Sequence, residues 1–285
     1  EIQEKQLMSK KTPAQESLQL ATPDGGTTNV EKYEFEPIKG YPMLNWRGKR
    51  PFTSTQYYPA QLKEVHGEEL DGWRNKIFWG DNLQVMSHLL KKFRGKVKLI
   101  YIDPPFNTGR VQARGRSVTK RTPEGNHLGF KGQRYDIVRE SVLSYDDEFA
   151  DYWDFLEPRL VEAWRLLTQS GTLYLHLDYR EAHYAKVLLD ALFGRENFLN
   201  ELIWAYDYGG KAKGRWPAKH DTILVYVKDA TNYFFNSDAV DREPYMAPGL
   251  VTPEKAERGK LPTDVWWHTI VSPTGKEKTG YPTQK

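Results

Sequence analysis

Four consecutive residues, Asp103-Pro104-Pro105-Phe106, combine an acid, two prolines and an aromatic ring directly after an apolar run. Two prolines fix the backbone after the carboxylate, so Asp103 and the adjacent proline carbonyl are expected to present two hydrogen-bond acceptors in one plane. Phe106 adds a flat apolar face. This combination suits a planar exocyclic amine, whose two N–H groups would be bonded while its ring is stacked. The alternative of a plain turn is disfavoured by the strand before the motif and by Asn107-Thr108-Gly109 after it.

Alternating strand and helix patterns surround this motif. Residues 76–79 and 97–102 predict two short strands, the second of them buried. Asp81 is the predicted N-cap of the helix between these strands. Gly95 is expected to break that helix, and Pro104 must end the second strand because proline cannot donate to a sheet ladder.

The later part of the chain continues the alternation. Apolar residues at helical spacing predict a long helix from Phe149 to Leu167 that ends at Gly171, followed by a strand over residues 172–177. Residues 178–181 fit a capping box with Asp178 as N-cap and Glu181 three residues on. The next helix is predicted to run to about Phe193 and to close at Gly194, and two further strands are predicted over residues 198–206 and 222–228.

This order predicts an α/β fold with a mostly parallel sheet and helices on both faces. Functional sites in such sheets lie beyond the carboxyl ends of the strands. Asp81 and Asp103 occupy two of those ends. We therefore expect the functional site at this edge.

Positive charge is concentrated in one segment. The chain has 285 residues and a net charge of only +3, but residues 107–134 contain seven basic residues and one acidic residue. This concentration indicates a polyanionic partner, with a solvated charged loop as the alternative. A second basic, glycine-rich loop spans residues 209–216. The candidate contact residues of both loops are Arg110, Arg114, Arg116, Lys120, Arg121, Lys131, Arg134, Lys211, Lys213 and Arg215.

Composition excludes several classes of function. The chain has no Cys, so disulfides, thiolate metal sites and a cysteine nucleophile are excluded, and a reducing, cytoplasmic compartment is favoured. No apolar run is long enough to span a bilayer. His66, His88 and His220 show no ligand spacing, so no metal is predicted. His176 lies inside a predicted strand and is expected to be a core or site-edge histidine rather than a base.

The sequence closely resembles the beta class of amino-group DNA methyltransferases, including the modification subunits of restriction-modification systems. The resemblance covers about residues 71–285 and rests on Gly80-Asp81-Asn82-Leu83, Asp103-Pro104-Pro105-Phe106 with its Asn-Thr-Gly tail, residues 171–178, residues 220–226 and Tyr281-Pro282-Thr283-Gln284-Lys285. It implies a Rossmann-like methyltransferase fold that acts on duplex DNA with S-adenosylmethionine as the methyl donor.

The resemblance also implies roles for individual residues. Asp103 and the Pro104 carbonyl would accept the two N–H groups of a flipped base, with Pro105 stiffening the turn and Phe106 stacking on the ring. Preorganised acceptors would stabilise the charge that develops on nitrogen. Asp rather than Ser at position 103 favours adenine N6 over cytosine N4. The residues implied to lie at the cofactor are Asp81, Asn107, Gln284 and Lys285.

The implied organisation has four parts. Residues 1–70 are predicted to form an N-terminal arm, with a loose extension over residues 1–36, and residues 71–228 the catalytic domain with a DNA-facing insert over 107–146. Residues 229–270 would carry target recognition, although aromatic side chains there are expected mostly in the core. Residues 271–285 would begin the cofactor-side segment.

The family places its glycine-rich Asp-Pro-Phe cofactor segment after the Thr-Gln-Lys stretch with which the 285 residues stop, so the resemblance implies an incomplete, truncated site. We expect the 285-residue piece alone to bind S-adenosylmethionine weakly or not at all and to be inactive by itself. A restriction subunit or a second methyltransferase copy is a possible partner. The alternatives to adenine methylation are N4-cytosine methylation and a non-catalytic DNA-binding partner that keeps the fold.

Overall fold

The structure of the protein is a computed structural model. It describes residues 15–21, 27–33, 40, 42–49, 52–53, 57, 59–128, 132, 134–207, 212–271, 275–277 and 279. The described strands form three sheets of three, five and three strands. Among the described helices, none is long and apolar enough to cross a membrane.

The N-terminal sheet is antiparallel and consists of β1 (Gln15–Ala21), β2 (Thr27–Tyr33) and β3 (Phe52–Thr53). The prediction of a loose extension over residues 1–36 is therefore wrong for the first two strands. Leu18 lies opposite Val30 in their ladder. The segment has few apolar residues, so its sequence shows no clear apolar period. The strands form by backbone pairing, which the amino-acid composition does not reveal.

The central sheet has five strands in the order β11–β9–β10–β8–β4. The strands are β4 (Val97–Ile102), β8 (Leu167–Leu177), β9 (Phe198–Ala205), β10 (His220–Val227) and β11 (Val265–Trp267). Pairing is parallel between β4 and β8 and between β9 and β11, and antiparallel in the other two pairs. The α/β class is confirmed, and the described sheet is mixed rather than mostly parallel.

Three helices pack against one face of this sheet. They are α1 (Asn82–Phe93), α2 (Tyr152–Leu166) and α3 (Ala182–Phe193). Alternate residues of β8, Leu173, Leu175 and Leu177, are buried in one cluster with residues of α2 and α3. The opposite face has its own small cluster around Leu202, Ile223 and Val225. In the described residues the long helices thus cover one face, whereas the sequence predicted helices on both.

The strand that ends at the acidic motif is less buried than predicted. Its bounds, Val97–Ile102, agree with the prediction, but Leu99 and Tyr101 are each more than half exposed. The reason is position: β4 is the edge strand of the described sheet and pairs only with β8. An apolar run therefore identified the strand but not its place in the sheet.

The prediction of a strand over residues 76–79 is wrong. These residues have no strand structure, and Ile77 and Trp79 are fully exposed. Their run of three apolar residues is typical of a strand, but no described strand pairs with them. The neighbouring prediction is confirmed, because the Asp81 carboxylate caps α1 by accepting from the N–H groups of Leu83 and Gln84.

The predicted insert over residues 107–146 is a β-ribbon rather than an irregular loop. Strand β5 (Arg110–Arg121) pairs along its length with β7 (Arg134–Asp147), and the short β6 (His127–Leu128) pairs with β7 as well. The segment is rich in Gly and Arg, so it lacks the alternating apolar residues by which strands are recognised in sequence.

Two boundary predictions fail at α2 and α3. The strand β8 begins directly after α2, so Gly171 lies inside β8 instead of ending the helix. Asp178 does not cap α3; it accepts from the Arg180 N–H and pairs with the Arg180 side chain. The N-cap is Glu181, whose side chain makes no hydrogen bond to the N–H groups of the helix. The helix end is confirmed, because α3 stops at Phe193 and Gly194 has a φ of 89°.

Gly171 offers a test of this arrangement. A β-carbon there would lie 2.9 Å from the Thr168 carbonyl oxygen and 3.1 Å from the Val97 carbonyl oxygen. Backbone cannot yield as a side chain can, so we expect Gly171→Ala to lower the free energy of unfolding by about 1–3 kcal/mol. Denaturant unfolding measures this, with Gly214→Ala as the matched control because nothing lies within 4 Å of its β-carbon position. Equal midpoints for the two variants would contradict the prediction.

Candidate active site at the end of β4

The acidic motif begins where β4 ends. Asp103 follows Ile102 directly, and its side chain is 45% exposed. Pro104 and Pro105 lack the N–H that a ladder requires, which explains why the strand stops here. A carboxylate is thus presented at the sheet edge by backbone that cannot rotate freely.

The loop after Asp103 is tied down by two residues from outside it. The Tyr152 hydroxyl donates to the Pro105 carbonyl oxygen at 2.7 Å. The Asp147 carboxylate accepts from the Asn107 N–H at 2.9 Å and from the Thr108 hydroxyl at 2.5 Å. The Asp147 side chain is buried, at the base of the ribbon formed by β5 and β7. These bonds fix the turn that carries Asp103 and Phe106.

Asn107 occupies a strained position in the same loop. Its φ of 54° lies in the left-handed region, which asparagine tolerates better than most residues. Its side-chain amide donates to a Glu181 carboxylate oxygen at 2.8 Å. Burial raises the pKa of Glu181, and the hydrogen bond from Asn107 opposes that rise. Glu181, predicted as part of a capping box, therefore holds the loop instead.

A buried imidazole lies behind Asp103. His176 Nδ1 is 3.6 Å from an Asp103 carboxylate oxygen and 2.9 Å from the Tyr101 hydroxyl. His176 Nε2 is 3.1 Å from the buried Asp221 carboxylate, which also accepts from the Tyr206 hydroxyl. The prediction of a core or site-edge histidine with partners is confirmed by these contacts.

Phe106 does not stand free in the site. It is partly buried against the main hydrophobic cluster, and its ring lies edge-on to His176 with 5.4 Å between the ring centroids. One part of the Phe106 ring therefore packs against the protein. The stacking of this ring on a base stays a prediction.

Asp81, the other predicted strand-end acid, is held by α2. Arg159 donates to the second Asp81 oxygen at 2.6 Å and to the Asn82 side chain at 2.5 Å. Burial lowers the pKa of Arg159, and the contact with Asp81 opposes that change. With the two helix N–H groups, Asp81 accepts three bonds, and its side chain remains 47% exposed. A carboxylate has about four acceptor positions, so one remains for a ligand.

Comparison with known proteins assigns the chain. Residues 97–285 match the DNA methylase family of N6 and N4 methyltransferases. The chain belongs to this family. It is 28% identical over 208 residues to the type III restriction-modification enzyme EcoP15I Mod subunit of Escherichia coli, a match that covers 70% of this chain and 32% of that protein.

Two further similarities are weaker. The DNA adenine methyltransferase YhdJ of Escherichia coli is 27% identical over 205 residues, covering 69% of this chain and 59% of that protein. Among solved structures, the PvuII DNA methyltransferase (cytosine-N4-specific) is 14% identical with a TM-score of 0.35, covering 69% of this chain and 58% of that chain. The chain spans about a third of the length of the EcoP15I Mod subunit.

The predicted DNA-contacting residues of this methylase-family chain fall on two segments. Arg110, Arg114, Arg116, Lys120 and Arg121 all lie on β5, and Arg134 begins β7. Arg110, Arg134, Lys213 and Arg215 are exposed. Lys131 and Lys211 lie outside the described residues, as do the predicted cofactor residues Gln284 and Lys285.

The aromatic residues of the predicted target-recognition region are divided. Trp266 packs against the small cluster around Leu202, Ile223 and Val225, on the face of the sheet opposite the helices. Phe234 and Trp267 are mostly exposed, and Tyr233 is also exposed. The expectation that these side chains lie mostly in the core is therefore correct for Trp266 and wrong for the others, since only Trp266 has its ring against packed sheet residues.

Sequence reasoning missed Asp147 and Tyr152 as site residues. Asp147 bonds a residue 40 positions earlier in the chain, and Tyr152 bonds one 47 positions earlier. No local pattern encodes contacts of this separation. The only available signal was the cluster of polar residues between the ribbon and α2.

Proposed function

We propose that the protein transfers a methyl group from S-adenosylmethionine to adenine N6 in duplex DNA. The observation that carries this proposal is the Asp103 carboxylate, half-exposed at a strand end on a loop fixed by Asp147 and Tyr152. Membership of the DNA methylase family supports the reaction class. The proposed target base leaves the helical stack at a cost of a few kcal/mol and binds at this loop.

The two acceptors proposed for the amino group are an Asp103 oxygen and the Pro104 carbonyl. The Pro105 carbonyl oxygen already accepts a hydrogen bond from the Tyr152 hydroxyl. Pro105 therefore stiffens the turn and is not one of the two acceptors. Two acceptors on one amino group draw its lone pair out of conjugation with the ring and stabilise positive charge on nitrogen in the transition state. When bound, S-adenosylmethionine supplies an electrophilic methyl group on sulfur.

The residues near α1 fit an adenosine moiety. Asp81 keeps an acceptor position for a hydroxyl, and Ile77 and Trp79, which precede it closely in the chain, expose apolar side chains to a flat ring. We propose Asp81 and Asn107 as cofactor-side residues in the described part of the chain. Gln284 and Lys285 are proposed for the same role on the resemblance alone.

The ribbon of β5 and β7 is proposed as the DNA-facing insert of residues 107–146. Its base is anchored at the site, because the Gly109 N–H donates to the Asp147 carbonyl at 3.0 Å. Basic residues along β5, and Lys213 with Arg215 in the second loop, would contact phosphates and supply salt-dependent affinity without sequence information. We also propose that the chain is divided into four parts. These are an arm (residues 1–70), a catalytic domain (71–228), a target-recognition region (229–270) and a cofactor-side segment (271–285).

Adenine is the proposed base for two reasons. An acid stands at position 103, and a relative of this chain is named a DNA adenine methyltransferase. A restriction subunit is a proposed partner, since another relative is named a Mod subunit of a type III restriction-modification enzyme.

The test is to identify the methylated base. The full-length protein is incubated with duplex DNA and S-adenosylmethionine labelled in the methyl group, and the DNA is digested to nucleosides. We expect label in N6-methyldeoxyadenosine. Label in N4-methyldeoxycytidine would replace adenine by cytosine, and bound but unlabelled DNA would favour a non-catalytic DNA-binding protein.

A further inference from the structure

His176 is a deeply buried titratable group beside the acidic motif. Its side chain is 1% exposed, and both ring nitrogens face polar partners. Nε2 faces Asp221, and Nδ1 faces the Tyr101 hydroxyl and Asp103. The Asp221–His176–Asp103 row thus leads from a buried carboxylate to the half-exposed carboxylate at the site.

The partners determine which nitrogen carries the proton. Burial first, and then the nearby Asp103 charge, raises the pKa of Tyr101 to about 12. The Tyr101 hydroxyl therefore keeps its proton at neutral pH. The Asp221 carboxylate can only accept a hydrogen bond, so a neutral ring carries its proton on Nε2 and donates it to Asp221, and Nδ1 accepts from the Tyr101 hydroxyl. Nδ1, the nitrogen nearer Asp103, is then the basic one.

We propose that His176 receives the proton released from the target amino group, by way of Asp103. This proposal rests on the proposed methyl transfer. The nitrogen lone pair forms the new N–C bond while the C–S bond breaks and its electron pair stays on sulfur. As positive charge builds on the nitrogen in this step, one N–H bond breaks, its electron pair returns to nitrogen, and the proton passes to Asp103 and then to His176 Nδ1.

The surroundings suit a temporary imidazolium. It would lie between the carboxylates of Asp221, 3.1 Å from Nε2, and of Asp103, 3.6 Å from Nδ1. The Tyr101 hydroxyl can rotate from donor to acceptor when Nδ1 gains a proton. Tyr206 donates to Asp221 from behind. Asp178 and Arg180 also act electrostatically on Tyr206, and the other rings against His176, Phe106 and Trp204, carry no charge.

Asp103 alone is a poor final acceptor. A carboxylate is a weaker base than an imidazole, so a proton held by Asp103 passes favourably to His176. A distance of 3.6 Å between Nδ1 and Asp103 is longer than a hydrogen bond, but such contacts often shorten when substrate binds. His176 is therefore a positioning and proton-accepting residue that acts through Asp103.

The experiment compares pH profiles of single-turnover methyl transfer by the full-length protein. The parent, His176→Gln and Asp221→Asn are measured between about pH 5 and 9 at saturating DNA and S-adenosylmethionine. We expect His176→Gln to lower the rate about tenfold near neutral pH and to lose one acid limb of the profile. Asp221→Asn should move that limb to lower pH, because losing the carboxylate charge disfavours the imidazolium.

The outcomes separate the relay from the methyl transfer itself. If the role of His176 is purely structural, His176→Gln will lower the rate by the same factor at every pH and leave the acid limb of the profile in place. This result would overturn the proposed proton transfer to His176 and leave the proposed methyl transfer standing. If His176→Gln does not fold, an unmoved limb in Asp221→Asn overturns it equally. No methyl transfer by the parent at any pH contradicts the proposed function instead.

Discussion

Asp103→Ala is expected to lower the rate of methyl transfer by at least about 100-fold to 1,000-fold, which is the effect of removing one preorganised charge-stabilising partner. The carboxylate is 45% exposed at the end of β4, so its removal leaves no cavity in the core and should change the free energy of unfolding little. The affinity for duplex DNA should stay within about twofold, because the proposed affinity comes from phosphate contacts elsewhere. The loss should therefore fall on the rate and not on binding.

Two further variants separate the parts of this effect. Asp103→Asn keeps one carbonyl acceptor and the side-chain shape but loses the charge, so its rate should lie between those of the parent and the alanine variant. Asp241→Ala removes an exposed carboxylate outside the site and serves as the control. Single-turnover transfer and filter binding on the full-length protein measure both quantities. Parent-like transfer by Asp103→Ala would remove Asp103 from the mechanism.

Local signals predicted those features that are determined within a few residues. Asp103 at the end of β4 follows from an apolar run stopped by two prolines. The Asp81 cap and the end of α3 at Gly194 are similarly local, since a cap bonds N–H groups only two or three residues away. These predictions needed no knowledge of which elements touch.

Features that depend on neighbours in space were missed or wrong. The exposure of Leu99 and Tyr101 depends on β4 being an edge strand, and an apolar strand has the same sequence pattern at an edge as at the centre. In the sequence, Gly171 resembles the end of a helix. In the structure, its missing side chain leaves room for the Val97 carbonyl of the neighbouring strand β4, a contact that no local pattern shows. The roles of Glu181 and Asp147 were also hidden, because each bonds the motif loop from a distant part of the chain.

Asp147 carries the second large effect. Asp147→Ala would remove the buried carboxylate that accepts from the partly buried Asn107 N–H and Thr108 hydroxyl. Removing the partner of such donors costs about 1–3 kcal/mol of unfolding free energy. Freed from these bonds, the loop would lose the fixed placement of Asp103. Since small misplacements of reacting groups cost about 100-fold in rate, we expect a loss of that order at saturating substrate.

Asp147→Asn is the matched control for this variant, because the backbone N–H of Asn107 can only donate, whereas the Thr108 hydroxyl can also accept. An asparagine can turn its carbonyl oxygen to Asn107 and its amide to Thr108, so both contacts survive without the charge. We expect it to keep most of the parent's stability and transfer rate, measured by denaturant unfolding and single-turnover transfer. If the alanine and asparagine variants lost activity equally, the charge of Asp147 and not its hold on the loop would be what the site requires.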